Sequence, residues 1–162
     1  MSVAVPNNKC LILHVDDDED DRFFFQNAAT RTKTPFNIQP LSSGALAIAY
    51  LKQEAPYADL AAYPPPVLIL CDHNPRSEGH DLVAAIRALA LFANLPIIMF
   101  SGSEGTDGIA RCYRAGADHF LRKPIDSTRL DIIVQTLYAC AISTPGSFDA
   151  LTRLDEYLPR PL

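Results

Sequence analysis

The chain has 162 residues, 48% of them hydrophobic and 20% charged, with 14 Lys or Arg against 19 Asp or Glu and a net charge of −5. That size suits one domain around one core, and that composition excludes global disorder. The acidic balance argues against direct nucleic-acid binding, and the lack of any 18-residue apolar run or signal-peptide pattern argues against membrane insertion or export, so the expected compartment is the cytoplasm.

After an N-terminal lead of residues 1–8, "KCLILHV" (9–15) is an apolar run closing on an acidic cluster and reads as a first buried strand. Residues 18–32 read as a helix whose opening acids suit the positive end of its dipole, with Phe24, Phe25, Ala28 and Ala29 on one face. "FNIQPLS" (36–42) is a second strand weakened by Pro40, and residues 42–54 form a second helix with Leu46, Ala47, Tyr50 and Leu51 at helical steps. Pro64 to Pro66 stop any helix before "VLILC" (67–71), a continuous apolar strand of the kind covered on both faces. A helix over 80–94, a strand over 95–102 and a helix ending at Gly116 follow. A fifth strand over 118–124 and a last helix over 126–142, capped by Asp126 or Ser127, complete the pattern.

Strand and helix thus alternate five times, which predicts a parallel sheet with helices on both faces. Residues 143–162 fall outside the repeat, and Phe148, Leu151, Leu154 and Leu158 can form the apolar edge of one short extra helix. Four cysteines without C-x-x-C spacing suggest neither zinc nor a disulfide framework, and the four histidines show no metal spacing, so all are read as structural or exposed.

Polar groups fall at four predicted strand ends: "DDDEDD" after the first, Cys71 and Asp72 after the third, Ser101 after the fourth and Lys123 after the fifth. Parallel strands bring their carboxyl ends to one edge, so these groups can converge. Clustered carboxylates repel one another, and a hard divalent cation relieves that repulsion. A hydroxyl and an ammonium beside such an ion suit a phosphoryl group.

"LILHVDDDEDD", "PRSEGHDLVAAIR", "PIIMFSGS" and "AGADHFLRKPID" together resemble the response-regulator receiver domain, the CheY-like module of two-component signalling, over residues 9–142. The resemblance implies a flavodoxin-like (βα)5 fold and a Mg2+ site built from Asp16, Asp17, the acceptor aspartate and a backbone carbonyl near Asn74. It implies Asp17 as the direct metal ligand, Ser101 as the hydroxyl that closes on the phosphoryl group and Lys123 as its positive partner. It also implies a cis-proline turn at Lys123–Pro124 and an aromatic switch at Phe120. The implied partners are a sensor histidine kinase or phosphotransfer protein, which donates the phosphoryl group, and a downstream protein target.

The acceptor itself is open at this level. Counting back from Pro75 and Gly79 by the family's spacing lands on Cys71, whereas the likeness of "LILCDHN" to the family's strand end selects Asp72 and requires one missing residue before Pro75. Strand alternation would aim Asp72 away from the pocket unless the strand end is kinked. A thiol, however, is a poor Mg2+ ligand, and two carboxylates nearby would suppress its thiolate. The two outcomes are a phosphorylation switch on Asp72 and a pseudo-receiver that binds partners without being phosphorylated. A haloacid-dehalogenase-type phosphatase using Asp16 and Asp18 would leave Ser101 and Lys123 unexplained.

Overall fold

The computed structural model describes residues 10–72, 79–102, 105–143 and 147–162. Its elements run β1 (Leu11–Val15), α1 (Glu19–Arg31), β2 (Asn37–Leu41), α2 (Gly44–Leu51), β3 (Leu68–Cys71), α3 (Gly79–Arg87), β4 (Ile97–Ser101), α4 (Thr106–Ala115), β5 (His119–Arg122) and α5 (Ser127–Ile142). The five strands form one parallel sheet in the order β2-β1-β3-β4-β5, the doubly wound flavodoxin-like arrangement.

Side-chain alternation divides the core in two. Leu13, Val15, Ile69, Cys71, Ile97, Met99 and Phe120 face α2, α3 and α4, where they meet Ala47, Leu51, Val83, Ile86, Ile109 and Cys112. Ile12, Leu68, Leu70, Ile98, Phe100 and Leu121 face α1 and α5, against Phe25, Ala28, Ile133, Val134 and Leu137. Period-two alternation on strands sandwiched between two helical layers makes every position apolar. Pro40 is tolerated because β2 lies at the sheet's edge.

Local signals place the helix ends. Asp18 accepts from the backbone N–H groups of Asp20 and Asp21 and caps α1, and Asp126 accepts from Arg129 N–H and caps α5. Gly116 ends α4 at φ 116°, a left-handed conformation that favours glycine.

Two expectations about the helices are corrected. Phe24 is 53% exposed while Phe25, Ala28 and Ala29 are buried, because one helical step of about 100° carries residue 24 off the buried stripe. The helix expected over 80–94 stops at Arg87 and resumes only as a 3-10 turn, Ala90–Phe92. The Arg87 guanidinium accounts for the break: it donates to the carbonyls of Leu95, Phe92 and Gly116 and pairs with Asp118, fixing a non-helical return to β4.

The tail makes only a 3-10 turn, Asp149–Arg153, before running extended. Arg122 N–H donates to the Glu156 carbonyl, Leu158 N–H donates to the Phe120 carbonyl, and Tyr157 bridges Leu121 in antiparallel sense. These bonds satisfy the outer edge of β5, which would otherwise present unpaired backbone groups. Pro159 and Pro161 suit an extended course.

Candidate functional site

The pairing of β1 with β3 sets the site. Val15 lies opposite Cys71, so one step further along both strands Asp16 and Asp72 emerge side by side. Asp16 N–H donates to the Leu41 carbonyl and Asp72 N–H to the Val15 carbonyl, which prolongs the sheet by one residue at each point. The carboxylates of Asp16, Asp17 and Asp72 all offer an oxygen within 4.8 Å of one another.

Lys123, just beyond β5, reaches into this group. Its ammonium lies 2.7 Å from Asp16 Oδ2, 2.6 Å from Asp21 Oδ2 and 3.2 Å from Asp72 Oδ1. Its backbone N–H donates to the Ser101 carbonyl at 2.7 Å, tying the ends of β4 and β5 together. Ser101 is itself buried, at 3% exposure.

Asp16 is the most constrained member. Its Oδ1 accepts from Asp18 N–H, its carbonyl accepts from Arg22 and its Oδ2 is held by Lys123. Burial raises the Asp16 carboxyl above the usual range against the opposing pull of Lys123. Burial, with Asp16 and Asp17 nearby, lifts Asp72 to about 6 although Lys123 pulls the other way. Burial also opposes the Lys123 charge, but the hydrogen bonds to Asp16 and Asp21 and the proximity of Asp72 outweigh it and raise the ammonium's pKa.

Three hard oxygen donors crowded this closely repel one another and fit a divalent cation, which would take over the charge compensation. Asp16, Asp17 and Asp72 are the residues that would hold it. Asn74, whose carbonyl was expected to contribute, lies outside the described residues, as does Pro75.

Cys71 faces the other way. It is 1% exposed within the α2–α3–α4 core, and burial first, with Asp72 next, pushes its thiol far up. The expectation that alternation would turn Asp72 aside is therefore corrected. Residues 12 and 14 of β1 and 68 and 70 of β3 share a side, and one step beyond the strands the same alternation directs Asp72 toward Asp16 without a kink.

Lys123–Pro124 is a second correction: among the described residues the cis X–Pro bond is Ala55–Pro56. The chain passes from Lys123 to the Asp126 cap with the more favourable trans geometry at Pro124. Phe120 is fully buried on β5, and Leu158 of the tail packs on the same cluster.

Two members were not singled out from the sequence. Asp21 was one acid among six, and only the first-turn geometry of α1 aims it at Lys123. His14, read as merely structural or exposed, is 1% exposed with Nε2 3.8 Å from Asp16 Oδ2, and burial, then Lys123 and Arg22, pushes its pKa down to about 3. Its even-numbered position on the strand that leads into Asp16 was the available signal.

A model of the response regulator receiver domain family matches residues 12–135. The chain belongs to that family. As a response regulator receiver it is a signalling domain of two-component systems. The receiver is 30% identical over 122 residues to the two-component response regulator ORR2 of Oryza sativa subsp. indica, covering 68% of this chain and 47% of that protein. It is 25% identical over 135 residues to response regulator Rcp1 of Synechocystis sp., covering 83% of this chain and 90% of that one. The matched stretch thus spans less than half of the rice relative.

Among solved structures, the receiver resembles the phosphorylated cyanobacterial phytochrome response regulator RcpA, with 28% identity and a TM-score of 0.73 over 83% of this chain and 95% of that one. It also resembles the Mn(2+)-bound form of Rcp1, with 25% identity and a TM-score of 0.69 over 83% and 96% of the two chains. No helix among the described residues is long and apolar enough to cross a membrane.

Proposed function

We propose that this receiver is a phosphorylation switch in which Asp72 accepts a phosphoryl group from the phosphohistidine of a sensor histidine kinase or phosphotransfer protein. The observation that carries this reading is the meeting of the Asp16, Asp17 and Asp72 carboxylates at one sheet edge, with the Lys123 ammonium 3.2 Å from Asp72 Oδ1. A carboxylate oxygen of Asp72 attacks phosphorus in line, the phosphorus–nitrogen bond breaks with its electron pair passing to the imidazole, and an acyl phosphate forms on Asp72. Asp16, Asp17 and Asp72 are the residues that would hold Mg2+, which would supply positive charge to the phosphoryl oxygens. Lys123 follows the new negative charge, and the Ser101 hydroxyl closes on it from the end of β4.

Because Lys123 N–H is bonded to the Ser101 carbonyl, movement at one strand end is felt at the other. Phe120 is three residues before Lys123 on β5, so a change at Lys123 passes along β5 to the face around β4 and β5, which a downstream protein target would read. The related Mn(2+)-bound and phosphorylated structures support the same reading. The pseudo-receiver alternative required Cys71 at the acceptor position, and the burial of its sulfur in the opposite core layer weighs against it.

Beryllofluoride with Mg2+, a mimic of the acyl phosphate, tests the proposal. NMR resonances of Ser101, Phe120 and Lys123 should shift in the native chain and stay fixed in Asp72→Asn. Absence of any response in the native chain would refute phosphoryl acceptance.

A further inference from the structure

His14 sits two residues before Asp16 on the same side of β1, its ring 4.7 Å from that of Phe25. Neither ring nitrogen has a hydrogen-bond partner among the described residues, although the side chain is 1% exposed. Buried polar atoms are seldom left unpaired, and such an atom in a folded core calls for a use in some state of the molecule. Asp16 Oδ2 lies 3.8 Å from Nε2, just beyond hydrogen-bond length.

That same oxygen is held by Lys123, which also holds Asp21 and Asp72. One ammonium therefore serves three carboxylates before any phosphoryl group arrives. Asp16 is fully buried, so its Oδ2 has no ready access to water when Lys123 turns away. Its other oxygen is already engaged by Asp18 N–H.

We propose that His14 is a positioning residue: its Nε2–H donates to Asp16 Oδ2 when Lys123 moves onto the phosphoryl group of Asp72, keeping the Asp16 carboxylate in its metal-facing orientation. This rests on the phosphoryl-acceptor reading above. A neutral imidazole carries one N–H, and placing it on Nε2 supplies the donor without any change of charge. A small rotation of the Asp16 carboxylate or of the ring closes the remaining gap. Phe25 bounds the ring on the α1 side, and Asp16 lies on the same side of β1 two residues on.

Two variants of the full chain separate this role from packing. His14→Phe keeps an aromatic ring against Phe25 and removes both nitrogens, whereas His14→Gln restores a side-chain N–H donor. Calorimetric titration with Mg2+ plus beryllofluoride should show affinity for the mimic reduced roughly tenfold in His14→Phe, the worth of one hydrogen bond to a charged group, and mostly recovered in His14→Gln. In the native chain, nitrogen-15 NMR of the imidazole should show protonation on Nε2 and a downfield-shifted Nε2–H proton on adding the mimic.

Equal affinity in His14→Phe and the native chain, equal weakness in Phe and Gln variants, or a proton fixed on Nδ1 would overturn the role of His14. Failure of the native chain to bind the mimic at all would remove the acceptor reading and this inference with it. Binding by the native chain with no dependence on residue 14 would remove the inference alone.

Discussion

Replacing Lys123 with Met removes the ammonium that reaches Asp16, Asp21 and Asp72 while keeping most of the apolar stem. Asp16 is fully exposed to the consequence, since at 0% solvent exposure it cannot recover hydration. Deleting one partner of a buried ion pair costs about 3–5 kcal/mol. Asp21 is 36% exposed and adds less than about 1 kcal/mol. Lys123 itself keeps 15% exposure, so solvent moderates the loss, and the low end, about 3 kcal/mol, is expected. For a chain of this size that lowers the melting temperature by about 6–12 °C.

The deficit should shrink on acidification, because the Asp72 carboxyl already titrates at about 6 and the Asp16 carboxyl is also raised, so both take up protons once the ammonium is gone. Excess Mg2+ should also shrink it. Thermal unfolding followed by circular dichroism at pH 7 and pH 5 measures both effects. A melting point within about 2 °C of the native chain at pH 7, or a deficit independent of pH, would refute the idea that Lys123 neutralises a buried acidic cluster.

Asp72→Asn should stabilise the metal-free domain at pH 7. The Asp72 carboxyl is raised from 3.8 to about 6, so the folded state favours its protonated form; that contribution is full below 3.8 and is lost as pH rises through about 6. The shift corresponds to a ceiling of about 3 kcal/mol, and partial exposure reduces the expected gain to about 1–2 kcal/mol in urea unfolding; lower stability than the native chain at pH 7 would contradict it. Cys71→Ala should leave Mg2+ and beryllofluoride binding unchanged, and in the native fold Cys71 should not react with a thiol reagent at pH 8; loss of mimic binding would place the sulfur in the site. Leu151→Ala, in the 3-10 turn of the tail, should cost about 2–4 kcal/mol because Leu151 is fully buried against α5; an unchanged melting point would mean that the tail does not dock.

The order of strands and helices was legible because each strand is a short apolar run and each helix carries a cap or a stop, such as Asp126 or Gly116. Pairing register was not. It decides whether Asp72 or Cys71 meets Asp16, and it depends on β1 and β3 lying together with Val15 opposite Cys71, a relation between residues 56 positions apart that spacing to Pro75 cannot supply. Asp21 was hidden among identical neighbours, and His14 was hidden by its lack of metal spacing, though its place on β1 already fixed its side of the sheet. The tail's apolar residues signalled docking. Its extended course follows from the unpaired edge of β5, a tertiary demand that local sequence does not express.

The most direct test is to find where the phosphoryl group goes. After incubation with acetyl phosphate and Mg2+, borohydride reduction of the acyl phosphate followed by peptide mass spectrometry should mark Asp72, in the native chain and in Cys71→Ala alike. A mark on Asp16, Asp17 or Asp21 instead, or none on any aspartate while a known receiver is labelled in parallel, would contradict the account.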